Sequence, residues 1–304
     1  MSSILTNNSA LTALQSLRMT QQSLNDTQKQ ISTGLKVSSA ADNASSWSIA
    51  ETMKSDNGVL STISDSLSQS TSLLSAATAG VNSILSTLNS IKQAVAQAQN
   101  PTADTSKILT AVQALGQNLI STVAGAQVNG VNVLSGTVNG TAPTGNTLNL
   151  VAYYNDGGGT AASTVGTISI DMSNPLLGLG ATPTTGSLAT AQATGSAAAT
   201  NFTAMVATDL TTNVADTMSN IDKAIADVTT YASSIGAAQT RVTSQSTFIA
   251  ALSTALTTGV SSLVDADMNQ ASTRLQALQT QQQLGVQSLS IANQNAQMIL
   301  KLFQ

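Results

Sequence analysis

The chain has 304 residues, 41% of them hydrophobic, enough for one or two domains with a sizeable core, but aromatics are only 2%, so that core is built from Leu, Val, Ile, Ala and Met. It has no cysteine and no histidine, which removes disulfides, thiolate chemistry, the commonest metal ligand and the commonest general base near neutral pH. Charged residues are 8% with a net charge of −4, and no Lys or Arg falls between Lys107 and Lys223, so there is no basic footprint for nucleic acid.

The opening MSSILTNNSALTALQSLR has no basic stretch ahead of an apolar one, and no unbroken run of about 18 apolar residues follows, which disfavours a cleaved signal and membrane insertion. Residues 8 to about 36 predict a helix, broken by Gly34, with 37–43 as a linker. A second helix is predicted from 44 to about 100, with apolar positions Ile63, Leu67, Leu74, Val81, Ile84, Leu88, Ile91 and Val95, stopped by Asn100-Pro101. A third spans about 105–127, ahead of Asn129-Gly130. The pattern then turns extended: Leu148, Leu150, Ala152 and Tyr154 alternate, Asn155-Asp156-Gly157 makes a turn, and Ile168, Ile170 and Met172 share one face of a returning strand. Residues 181–200 are mostly Ala, Thr, Gly and Ser and read as a surface loop. Helical spacing resumes at about 203 through Ile221, Ile225, Val228, Ile235, Val242, Ile249, Leu252 and Leu256, until Gly259 opens the final helix.

Both ends carry a coiled-coil spacing. The first seam is Ala10, Leu14, Leu17, Gln21, Leu24, Gln28, Ile31 and Leu35; the second is Leu275, Leu278, Gln282, Gly285, Leu289, Ala292, Ala296, Ile299 and Phe303. A further stripe, Leu284, Ile291, Met298 and Leu302, lies roughly opposite the second seam, so that helix needs partners on two sides. The first helix alone buries too few large side chains to outweigh the ordering of its backbone, so it is expected to order as neighbouring copies cover it. The seam amides Gln21, Gln28 and Gln282 either weaken the pairing or set its register, and register is favoured.

Candidate chemical sites have plainer readings. Asp265 and Asp267 project to nearly opposite faces of a helix, so helix N-terminal charge explains them better than a metal pair. The stretch Asn155-Asp156-Gly157-Gly158-Gly159 lacks the further ligands of a calcium or phosphate loop and reads as a turn. Asn-X-Ser/Thr sequons at Asn7, Asn43, Asn139 and Asn201 arise easily by chance in such a composition, and only Asn139 falls clearly in a loop. Trp47 reads as core or interface. No cofactor is implied.

The ends resemble bacterial flagellin. Leu5-Thr6-Asn7-Asn8 with Ala10, Leu11, Leu17 and Leu24, then the run Ile31-Ser32-Thr33-Gly34-Leu35-Lys36-Val37-Ser38-Ser39-Ala40-Ala41-Asp42-Asn43-Ala44, is similar to that family's amino-terminal signature. Asp265-Ala266-Asp267-Met268 through Leu275, Gln279, Gln282-Gln283, Gly285, Ala292-Asn293-Gln294 and Gln297 is similar to its carboxy-terminal one. Gly236-Ala237-Ala238-Gln239-Thr240-Arg241-Val242 and Asn129-Gly130-Val131-Asn132-Val133-Leu134 match as well.

The resemblance implies a mainly α, elongated fold: terminal helices paired as a coiled coil, and a rod of long helices with one small β-hairpin. It implies an inner part from 1–43 and 259–304, a rod part from 44–180 and 203–258, and a short loop at 181–202 in place of an outer domain. It further implies a non-enzymatic homopolymer, secreted through the flagellar type III export apparatus with a chaperone, and meeting flagellar cap and hook-associated proteins. The alternatives are a hook–filament junction protein or, further off, a secreted coiled-coil effector or adhesin. The family segment detected by a Toll-like receptor carries a Gln-Arg pair followed by Leu; here Asn89, Ser90 and Ala94 stand there, so recognition is expected to be weak or absent.

Overall fold

The computed structural model describes residues 7–143, 145, 147–155, 163–172, 202 and 205–302, with 295–302 described by backbone alone. In chain order the elements are α1 (Asn8–Thr33), α2 (Ala44–Ala98), α3 (Thr105–Gly125), β1 (Val131–Asn132), β2 (Thr137–Val138), β3 (Thr147–Asn155), β4 (Thr164–Asp171), α4 (Ala207–Thr211), α5 (Val214–Val264) and α6 (Met268–Leu302). The chain is mainly α, as expected, with two small antiparallel sheets, and divides into two compact units, 1–57 with 254–304 and 58–253.

In the second unit the long helices carry unbroken heptad seams. On α2 the buried positions run Leu60, Ile63, Leu67, Ser70, Leu74, Ala77, Val81, Ile84, Leu88, Ile91, Val95 and Ala98, alternating steps of three and four. On α5 they run Thr217, Ile221, Ala224, Val228, Tyr231, Ile235, Ala238 and Val242 in the same rhythm. The buried hydroxyl of Ser70 donates to the Ser66 carbonyl at 2.8 Å, so a polar residue enters the seam without an unsatisfied group. Helix α3 begins where Asp104 accepts the Lys107 N–H, and it ends at Gly125, two residues before the expected 127.

The predicted hairpin is present: β3 pairs with β4, Leu150 opposite Ile168 and Leu148 opposite Ile170, with a bulge between Val151 and Tyr153. Leu150, Ala152, Ile168, Ile170 and Met172 are buried, matching the alternation read from sequence. The ring of Tyr153 covers Gly166 across the strands, where no Cβ would fit. The turn residues 156–159, the loop 181–200, Asn201 and Phe303 fall outside the described residues.

Three expectations are corrected here. The second sheet, β1 with β2, pairs Val131 with Val138 and Asn132 with Thr137 and was not expected. Its flanks are two Asn-Gly turns, Asn129-Gly130 and Asn139-Gly140, with φ of 50° and 80° and of 51° and 80°. Positive φ at both central residues is the type I′ turn, which Asn-Gly favours, so the dipeptides were the missed signal. Next, α5 does not stop at Gly259 but continues to Val264: Gly259 sits inside the helix without a positive φ, where a Cβ would be in ordinary contact with the Met53 sulfur, and α6 starts only at Met268. Finally, one 18-residue window of α5 is long and apolar enough to cross a membrane by composition, and 11% of it is buried. Ser and Thr are scattered along α5, so no unbroken apolar run marks the stretch, and hydroxyls such as Thr243 and Thr258 bond back to carbonyls of their own helix.

Near β1 and β2, Tyr231 of α5 is buried and donates its hydroxyl to the Val133 carbonyl. Burial, with the Asp171 carboxylate adding to it, raises its phenol well above the ordinary value of 10.0. A group raised in the folded state contributes stability below its unfolded pKa and loses it as pH climbs, so stability is expected to fall above about pH 10. In Tyr231→Phe this alkaline slope should shrink. At neutral pH the variant should lose about 1 kcal/mol, because Val133 keeps its bond from the Gly136 N–H. Urea titrations across pH check both.

Candidate functional site

Within the first unit α1 and α6 pack against each other along their length. Asn7 fixes the start: its side-chain oxygen accepts the Ala10 N–H at 3.1 Å, and its amide nitrogen donates to the Ala292 carbonyl at 3.0 Å. One residue thus caps α1 and ties it to α6, and this role was not anticipated from sequence. Further along, a Cβ on Gly285 would lie 3.1 Å from the Leu17 Cδ1, and the Gln282 amide donates to the Gln21 side-chain oxygen at 3.4 Å. Rising numbers on α1 meet falling numbers on α6, so the pair is antiparallel.

On α6 the expected seam positions up to Ala292 are the less exposed ones. Leu278 is buried, and Leu275, Gln282, Gly285, Leu289 and Ala292 are half-buried; the buried Ala271 extends the seam by one step. Ala296, Ile299, Met298 and Leu302 lie in the part of α6 described by backbone alone.

The α1 seam differs by one position in three places, at Ala13 beside the half-buried Leu14, at Thr20 and at Thr27. Leu24 is buried and Ala10, Leu14, Leu17 and Ile31 are half-buried, but Gln21 and Gln28 are exposed. Thr20 and Thr27 take the inner positions instead, giving the regular run Ala10, Ala13, Leu17, Thr20, Leu24, Thr27, Ile31. Thr27 tolerates burial because its hydroxyl donates to the Ser23 carbonyl at 2.8 Å, whereas a Gln side chain is too long for that bond and reaches solvent. Gln21 and Gln282 meet at an exposed rim rather than in the seam.

Leu35 also leaves the helical seam, because α1 ends at Gly34 in the left-handed conformation (φ 72°). Beyond that cap the chain pairs with the end of α5: Lys36 N–H donates to the Val264 carbonyl at 2.7 Å, Ala266 N–H to the Gly34 carbonyl at 2.9 Å, and Leu35 forms a bridge with Asp265. Leu35, Val260 and Leu263 pack around a small buried cluster of Val37, Ala50 and Val264. Asp267 accepts the Asn269 and Gln270 N–H groups at 2.9 and 3.2 Å, so it caps α6 as its charge suggested.

The linker 38–42 is held by one carboxylate. Asp42 Oδ2 accepts the backbone N–H and the hydroxyl of both Ser38 and Ser39 at 2.9 to 3.1 Å. The Ser38 backbone bond, followed by the three others, lowers its pKa to about 2. Asn43 then accepts the Ser46 N–H and starts α2. The sequon asparagines Asn7 and Asn43 are therefore both committed to caps. Trp47 is 37% exposed, at the edge of the unit rather than in its core.

Opposite the seams, apolar residues face outward. Leu284, Val286 and Ile291 on α6 are 62%, 54% and 53% exposed, and Leu11 and Met19 on α1 are each 57% exposed. On α2, Asn89 and Ser90 are exposed, and each bonds back to a carbonyl of its own helix, Leu85 and Ser86; Ala94 is half-buried. No group of three or more acidic, His or Cys side chains able to hold a metal occurs among the described residues.

Two chain ends zipped antiparallel, with apolar residues left outward on both helices, define a structural subunit built for assembly. Family models for the bacterial flagellin N-terminal and C-terminal helical regions match residues 4–139 and 218–303. The chain is 40% identical over 311 residues to a flagellin of Brucella melitensis biotype 1 and 38% identical over 323 residues to Flagellin C of Rhizobium meliloti, each alignment covering the whole of both chains. Flagellin FljM of Caulobacter vibrioides is 33% identical over 308 residues, covering all of this chain and 99% of its own. The chain belongs to the bacterial flagellin family. It is a structural subunit of the extracellular flagellar filament used for swimming, and it acts by self-assembly.

Proposed function

We propose that copies join through the outward faces of the terminal pair, with the seam holding α1 to α6 within each subunit. The observation that carries this reading is the exposure of Leu284 and Ile291 directly behind the α6 seam. Met298 and Leu302 continue the stripe in sequence. Unlike surfaces meeting head to tail, with a rotation that does not close, build an open helix rather than a ring. The terminal pair finishes ordering as neighbours cover it, since its seam holds few large side chains. Gly285 and Ala292, with Ala296 next in the same sequence spacing, are small enough for helices to approach closely and slide between discrete packings, which would switch the supercoil.

In this reading 1–43 and 259–304 form the filament core, 44–180 and 203–258 a surrounding rod, and 181–202 stands in for an outer domain. The subunit carries no enzymatic activity, since no nucleophile has an imidazole partner. Its passing partners are the flagellar export apparatus and chaperone, the cap and the hook-associated proteins, with no nucleic acid and no membrane insertion. Electron microscopy of the purified chain under polymerising conditions tests the reading: fibres are expected, whereas a soluble monomer that never grows from seeds would overturn it. A hook–filament junction role predicts few copies, so abundance in sheared surface material separates the two.

Asn89 and Ser90 commit their side-chain donors to their own helix, and the sequence of α2 holds no Arg to supply a guanidinium fork. Purified monomer is therefore expected to give little or no response in cells carrying the flagellin-sensing Toll-like receptor. A strong response would contradict the assignment of this segment.

A further inference from the structure

We propose that Asn139, together with Asn129, is a site of spontaneous succinimide formation, an ageing modification of the folded subunit that needs only water. The chain contains three Asn-Gly dipeptides, at Asn57, Asn129 and Asn139, and the fold sorts them. Asn57 and Gly58 lie inside α2, where the Gly58 N–H belongs to the helical hydrogen-bond ladder, and the Asn57 amide donates to the Thr257 hydroxyl at 3.3 Å. Asn129 and Asn139 are exposed and occupy the two type I′ turns. Those turns close through Val128 with Val131 and through Val138 with Thr141, which leaves the N–H groups of the central Gly130 and Gly140 out of the closing bonds. Neither the Asn129 nor the Asn139 side chain makes a hydrogen bond among the described residues. Each Asn therefore keeps a carboxamide without a hydrogen bond next to a glycine nitrogen outside the closing bonds; Gly140 is exposed, whereas Gly130 is half-buried under the Asn139 side chain, which makes Asn139 the more open of the two.

The chemistry follows from that placement. Gly140 N loses its proton to solvent base and attacks the Asn139 Cγ; the new C–N bond closes a five-membered imide, and the C–NH2 bond breaks to release ammonia. Water then opens the imide at one of its two carbonyls. One opening leaves an ordinary aspartyl residue where the amide stood; the other moves the main chain onto the side-chain carbonyl and lengthens the backbone by one methylene. The second product strains a turn whose Asn139 N–H donates to the Gly130 carbonyl at 2.7 Å and whose Asn139 oxygen rests on Gly130.

The test incubates the purified full-length chain, as the folded monomer, in mildly alkaline buffer and follows the three peptides by mass spectrometry, with an isoaspartyl-specific methylation assay alongside. Asn139 and Asn129 are expected to convert at least about ten-fold faster than Asn57, since opening the helix interior costs more than that ratio represents. In urea, where no turn or helix persists, the three rates should converge. Equal rates in the folded chain, or loss of the amide at Asn57 first, would overturn the proposal.

Discussion

A chain carrying Leu278→Asp is expected to form no filaments, even when seeded. Leu278 is 8% exposed and Leu24, 7% exposed, lies at the same level of the antiparallel pair, set by the Leu17–Gly285 and Gln21–Gln282 contacts. Truncating a buried Leu to Ala costs roughly 2–5 kcal/mol, and an unpaired carboxylate in the same place costs more. No Lys or Arg stands within the seam to neutralise it. Gln279→Asp moves the same charge to the next residue, which is exposed, and should polymerise like the parent. Seeded growth followed by light scattering and electron microscopy separates the two variants. If Leu278→Asp fibres elongate at the parent rate, the seam is not what holds the ends together.

How far the seam could be read in advance depended on which residues filled it. On α6 the inner positions Leu275, Leu278 and Leu289 are large and apolar, so a three-four template finds them without help. On α1 the template had to choose between Thr20 and Gln21, and between Thr27 and Gln28, all polar. The choice turns on whether a hydroxyl can reach a carbonyl one turn back, as Thr27 does with Ser23, and that is a matter of side-chain geometry rather than hydrophobicity. The same limit explains the helix break. Gly259 resembles a stop, but a glycine lowers helix propensity by only about 1 kcal/mol, which a 51-residue helix absorbs without breaking. The true break is set by pairing between 34–37 and 264–266, distant in sequence and therefore invisible to a local pattern. The β1–β2 pair was too short to alternate detectably, yet both of its Asn-Gly turns were written in the chain. For the apolar stripe behind the α6 seam, Leu284 and Ile291 were legible because two opposite apolar faces on one helix have no other simple reading.

Gly80→Val is expected to destabilise the second unit by roughly 3 kcal/mol, although valine is the better helix former. Two effects compete. Replacing glycine inside a helix gains a few tenths of a kcal/mol for a β-branched residue, because the unfolded chain loses freedom. Against that, a Cβ at position 80 would sit 2.5 Å from the Leu134 Cδ1 and 3.3 Å from the Ala126 Cβ. Leu134 is fully buried, in the segment between β1 and β2, next to Val133, whose carbonyl takes the Tyr231 hydroxyl. With Leu134 at 0% exposure, moving its Cδ1 aside displaces other packed atoms, so overpacking is expected to win and the loop to be pushed from its seat. Gly58→Val supplies the control on the same helix: nothing lies within 4 Å of its Cβ, so it should melt within about 0.5 kcal/mol of the parent. Thermal melts of the two variants, followed by circular dichroism, decide the matter. Similar melting temperatures for both would mean that Leu134 yields freely, and that close approach of this loop to α2 is not what Gly80 provides.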